Sequence, residues 1–107
     1  MEIISFGPSS SRSINDHGSR GFTVTPLIRS EHLSAVCIRL EPGGVIGRHE
    51  AASRQLFAVV AGSALVSGGD GVERTLTVGD AAIWQSAEMH ETRSDEGLVA
   101  IALEGDF

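Results

Sequence analysis

The chain has 107 residues, 41% hydrophobic and 21% charged, a balance that fits one globular domain with a single core and excludes a disordered chain. A formal net charge of −6 and a pI near 5.0 exclude a nucleic-acid surface, which needs clustered cations, and the eight Arg are scattered from Arg12 to Arg93 without a run. Lys and Tyr are absent, so Schiff-base chemistry and a phenolic acid or base are excluded. The single Cys37 leaves no partner for a disulfide or a cysteine-rich zinc site.

The chain opens Met-Glu-Ile-Ile-Ser, without a basic stretch ahead of an apolar one, and no apolar run is long enough to span a bilayer. A cytoplasmic protein with no membrane partner is therefore expected. Ile3, Ile4 and Phe6 suggest a short strand, and the polar segment from Gly7 through Gly18 reads as a loop. Residues 1–20 are thus expected to form an N-terminal strand and flexible arm, and residues 21–107 a single domain. Phe22 to Ile28 alternates loosely, with Pro26 marking an edge or a bulge. From Leu33 to Leu40 the alternation is firm: Val36, Ile38 and Leu40 share one face, and Ala35, Cys37 and Arg39 the other. Glu41-Pro42-Gly43-Gly44 predicts a turn. Gln55 to Ala61 is rich in Val and Phe, and Ala64 to Ser67 with Val72 to Val78 predicts a hairpin about Gly68-Gly69-Asp70-Gly71. Ala81 to Trp84 and Leu98 to Leu103 complete the strands. No segment carries a helical period over three turns, and short strands broken by glycine turns predict an all-β sandwich or barrel.

Two motifs narrow this. After Pro42, Gly43 is followed at intervals by His49, Gln55 and Gly62; further on, Gly79 is followed by Gln85, Ala87, His90 and Ser94. These resemble the paired motifs of the cupin family, Gly-x5-His-x-His-x3,4-Glu-x6-Gly and Gly-x5-Pro-x-Gly-x2-His-x3-Asn. Together they cover Pro42 to Ser94, with sixteen residues between Gly62 and Gly79. The resemblance implies a jelly-roll β-barrel (a double-stranded β-helix) with a central pocket. It also implies a divalent transition metal (iron, nickel, manganese or zinc) held by His49, Gln55 and His90. Residues two apart on a strand face the same side, so His49 and position 51 would both point into the barrel.

The sequence departs from the family at five positions. The second His of the pair is Ala51, which has no donor atom, and the Glu is Gln55, which brings no charge. Gln85, Ala87 and Ser94 replace the Pro, Gly and Asn of the second motif. His49, Gln55 and His90 thus form a neutral set of three donors, suited to weaker metal binding or to a metal-free polar pocket. Glu50 should point away from His49 by strand alternation, while Glu88 would reach the site only if its turn folds inward. Phe57 shares the parity of Gln55 and, with Trp84, is a candidate to wall the pocket or simply to fill the core. Arg39 is a candidate to enter the barrel and hold a carboxylate or phosphate, or else to reach solvent; Cys37 lies beside it. His17 and His32 are expected in solvated loops.

By the resemblance, the protein is expected to bind a small organic ligand. Dioxygenation or isomerisation of a small organic acid or sugar-like molecule is one outcome, and ligand binding without turnover is another. A homodimer is expected as well, through Leu98 to Leu103 or by exchange of the Ile3–Phe6 segment.

Overall fold

The computed structural model describes all 107 residues. Eight strands follow in chain order: β1 (Arg12–Ser13), β2 (Arg20–Arg29), β3 (Leu33–Glu50), β4 (Arg54–Ser67), β5 (Arg74–Thr77), β6 (Ala81–Trp84), β7 (Met89–Ser94) and β8 (Leu98–Gly105). Two single-turn 3₁₀ segments, Pro8–Ser10 and Asp16–Gly18, flank β1. Every strand pairing is antiparallel. The all-β architecture read from the sequence is the one observed.

Closure comes from β3 and β4, each long enough to change neighbours along its length. The first half of β3, Leu33 to Leu40, pairs with β8, and its second half, Gly44 to Glu50, pairs with β7. β4 does the same: Arg54 to Gly62 lies against β8, and Leu65 to Ser67 against β7. The ring β3–β8–β4–β7 is thereby closed, which turns one face of every strand inward. Ile38, Leu40, Phe57, Val59, Val66 and Trp84 fill it together with Leu98, Ala100 and Ala102 of β8.

Glu41-Pro42-Gly43-Gly44 does not reverse the chain, as a turn there would; β3 runs through it as one bent strand. Gly62 plays the same part in β4, joining two stretches that the sequence pattern separates. Pro26 does mark a bulge, since the β2–β3 register slips between Pro26 and Ile28. The Gly68–Gly71 hairpin forms, although β5 is confined to Arg74–Thr77. No strand forms over Ile3–Phe6, and the segment expected as a free arm pairs with its own barrel, Arg12 opposite Val24 and Ser13 opposite Thr23.

Gly62 has φ +74°, and a Cβ there would meet the backbone carbonyl of Gly97 across the corner. Gly71 has φ +71° with nothing near its missing Cβ. Gly71→Ala should therefore cost only the left-handed backbone strain, about 1 kcal/mol, whereas Gly62→Ala adds a backbone clash and should cost about 3 kcal/mol. Urea unfolding of both variants checks the ordering.

Candidate functional site

Four inward-facing strands bring the chemistry together. β3 delivers His49 and β7 delivers His90, which are register partners across the β3–β7 pair. β4 delivers Gln55 and β6 delivers Trp84, register partners in turn. These four side chains line a cavity of about 260 Å³ whose apolar wall includes Phe22, Val24, Val36, Ile38 and Phe57. Of the pocket-lining candidates, Phe57 and Trp84 therefore sit where expected.

Three do not line it. Val36 and Ile38 present the inner face of β3, so Arg39 and Cys37, of opposite parity, fall on the outer face. There the Arg39 guanidinium donates a 2.7 Å hydrogen bond to the Phe6 carbonyl, and Cys37 is a buried free thiol whose pKa burial pushes up. Ala51 is buried but lies past the end of β3, where its backbone pairs with the loop before β7: its N–H donates to Glu88 O, and its carbonyl accepts from Ala87 N–H. Glu88 is equally unavailable, because its carboxylate accepts from the N–H groups of Gln85 and Gly69, both at 2.9 Å. Those two bonds hold its pKa below the usual carboxylate range. Glu50 is exposed, as strand alternation requires.

The imidazoles form an aromatic chain. His49 and His90 have ring centroids 4.3 Å apart, and His90 lies 4.6 Å from Trp84, which in turn meets Phe57 at 5.8 Å. Nδ1 of His49 is 2.7 Å from the Gly47 carbonyl, and Nδ1 of His90 is 3.3 Å from that of Glu88. A carbonyl only accepts, so each neutral ring carries its proton on Nδ1 and keeps a lone pair on Nε2. Backbone anchoring of this kind sets up an imidazole as a metal ligand or a hydrogen-bond acceptor. Burial, followed by the neighbouring His49, pushes the pKa of His90 below the ordinary histidine range.

The sequence pattern missed two members of the site. His17, expected in a solvated loop, stacks on His49 at 4.8 Å with ring planes 8° apart and lines the cavity rim. Its 3₁₀ turn is docked on β3: Gly47 N–H donates to Ser19 Oγ at 3.0 Å, and the His17 carbonyl occupies the space a Cβ on Gly47 would need. The second is Glu104. On β8 the inward parity runs Leu98, Ala100, Ala102, Glu104, which places this carboxylate in the cavity beside its register partner Gln55. That parity was open to inspection in the sequence; the docking of His17 was not. His32 is exposed, near Glu31 and Asp106, as a loop residue should be.

Two imidazole Nε2 lone pairs and the amide oxygen of Gln55 are suitable donors for a divalent transition ion, though without an anionic member. No group of three or more His, Cys, Asp or Glu side chains is gathered closely enough to hold one. The donor chemistry therefore fits a weakly held ion.

A closed antiparallel barrel with a histidine-bearing pocket between its strands defines a jelly-roll, or double-stranded β-helix, protein. The chain belongs to the cupin family: the Cupin domain matches residues 36–104, more than half of it. It is similar to the structure of an RmlC-like cupin from Shewanella frigidimarina, at 25% identity and TM-score 0.82, covering 98% of this chain and 91% of that one. A second similar structure is KdgF from Halomonas sp., at 25% identity and TM-score 0.71, covering 87% and 90%. A predicted oxalate decarboxylase from Thermotoga maritima shares the fold at TM-score 0.86 and 17% identity, over 99% and 100%. Comparison with curated proteins gave no match. No helix is long and apolar enough to cross a membrane.

The depressed pKa of His90 sets a pH dependence. The unfolded chain takes up a proton on this residue near pH 6.5, while the folded, metal-free chain resists doing so until lower pH. The associated stability is fully present above the ordinary histidine range and is lost as pH falls through the lowered folded value. Thermal melts of EDTA-treated protein should fall in this window, less steeply for His90→Gln, and an NMR titration should place the imidazole of His90 below about 6.5.

Proposed function

We propose that this cupin binds a small organic molecule in the central cavity beside a divalent transition ion held by His49, His90 and Gln55. The observation that carries the reading is the pair of register-matched imidazoles, 4.3 Å apart, each with Nδ1 against a backbone carbonyl. When bound, iron, nickel, manganese or zinc would polarise ligand oxygens or bind oxygen, the basis of metal-assisted dioxygenation or isomerisation. The chain's own residues contribute the remainder. Trp84 and Phe57 wall the cavity against water, and the carbonyls of Gly47 and Glu88 orient the two imidazoles.

Elemental analysis of the purified protein tests this directly. Near-stoichiometric metal should be found and should be lost in both His49→Ala and His90→Ala. Gln55→Glu, which adds the missing negative donor, should tighten the ion about tenfold or more by competition titration. Folded wild-type protein that stays metal-free after dialysis against several divalent ions overturns the metal reading.

A second reading is favoured by Ala51 and Gln55 together with the lack of a gathered set of three ionisable ligands. Here the cavity binds its ligand without metal or turnover, and His49 and His90 act as acceptors.

We also propose a homodimer. Ile3, Ile4 and Phe6 are exposed apolar residues outside any strand, and they are available for exchange with a second copy. A chain beginning at Pro8 retains the docked Asp16–Gly18 turn and should become monomeric by light scattering. An unchanged dimer would exclude the segment as the clasp and leave the outer face of β8.

A further inference from the structure

The cavity joins carboxylates to imidazoles and contains no Arg. Among its lining residues the charged side chains are Asp16 and Glu104, with His17, His49 and His90 as the only other ionisable groups. None of the eight Arg lines the cavity. Five are engaged elsewhere, Arg39 on the Phe6 carbonyl, Arg48 on that of Gly68, Arg54 on that of Phe107, Arg74 with Asp70, and Arg93 with Glu73 and Asp95, and the other three are exposed. Glu104 is half-buried, faces inward beside Gln55, and has neither a hydrogen bond nor an ion pair from its carboxylate.

A carboxylate that faces a cavity without a partner gains one when a ligand supplies a donor. The same group repels an anionic ligand, which would enter a low-dielectric space with no guanidinium or ammonium to receive it. The net charge of −6 adds to the barrier. A divalent ion would bring the formal charge of the two carboxylates back to zero without creating a cationic excess.

We infer that the organic ligand of this cavity is a neutral or cationic, hydrogen-bond-donating, planar or hydroxylated molecule rather than a carboxylic acid, with Glu104 receiving its donor. The inference deepens the reading of the cavity as a ligand site and rests on it. Of the two substrate classes that the family resemblance implies, it retains the sugar-like or hydroxylated one and removes the organic acid. Two features of the site converge on it: Trp84 walls the cavity with an aromatic ring, and Glu104 accepts with charge.

Benzylamine, benzyl alcohol and benzoate differ mainly in charge and donor count, and Trp84 is the only tryptophan in a chain without tyrosine, so its emission reports from the cavity wall. Titrations of EDTA-treated full-length protein should show quenching by the amine and the alcohol, with benzoate weaker than the amine by about tenfold or more. Glu104→Gln should reduce that preference to within about threefold, chiefly by weakening the amine. Should this variant fail to fold, Asp16→Asn on the exposed rim and a rise in salt should each narrow the preference in the wild-type framework. Benzoate binding as tightly as benzylamine, or an undiminished preference in Glu104→Gln, overturns the inference while leaving the cavity a ligand site. No quenching by any of the three overturns both.

Discussion

Two strands of this chain each serve two neighbours, and that sharing is what gives the barrel an inside. β3 and β4 bend rather than end, so each keeps a side-chain row facing the interior on both sides of its corner. A reversing turn at either place would end the strand and break the ring. The corner in β4 depends on the backbone of Gly97 lying where Gly62 has no side chain, and the Gly97 carbonyl also accepts from Ser63 N–H at 3.3 Å. A register shift in each strand then changes which parity faces inward, from Ile46 to His49 on β3 and from Val59 to Ala64 on β4. One interior results, with apolar residues packed at one end and polar ones left at the other.

That constraint explains what the sequence made legible. Alternation and glycine spacing located most strands, and the offsets of His49, Gln55 and His90 placed them on one cavity. Continuity through Pro42-Gly43-Gly44 and through Gly62 was hidden, because the same residues end strands in most contexts. The parity of β3 was visible, but which face becomes interior depends on closure. Assigning the polar side of that strand to the pocket put Arg39 and Cys37 there, while Val36 and Ile38 in fact line it. Glu104 continued a plain alternation and was overlooked because the apolar run stops before it. His17 lay beyond any local pattern, since its place depends on Gly47, thirty residues on in the chain, giving way to a carbonyl.

The Asp16–Gly18 turn also shows how a small barrel extends its site beyond its strands. His17 has φ 58° and ψ 30°, a conformation that costs an ordinary residue about 1 kcal/mol or more, and it is held by the Ser19–Gly47 hydrogen bond and the tight backbone contact beside it. Those contacts are offset against a ring stacked on His49 at the rim. The segment before the barrel is thus part of the cavity wall, and a chain cut at Gly21 would lose one imidazole, one carboxylate and the Ile14 side chain from it.

The distribution of charge bears on what the cavity can recognise. Arg is the only strong base available to this chain, and every copy is spent on backbone carbonyls, surface carboxylates or solvent. The interior receives imidazoles, an amide and carboxylates, groups that accept or can be made to accept. A metal cation is the limiting case of a ligand for such a set, and a neutral or protonated donor is the ordinary one. Loss of the family's anionic metal ligand at Gln55 and the presence of an anionic Glu104 at the adjacent register position therefore act in the same direction. On the proposed reading, negative charge would lie on the cavity wall rather than among the ion's ligands, where it would discriminate among organic ligands instead of fixing the ion.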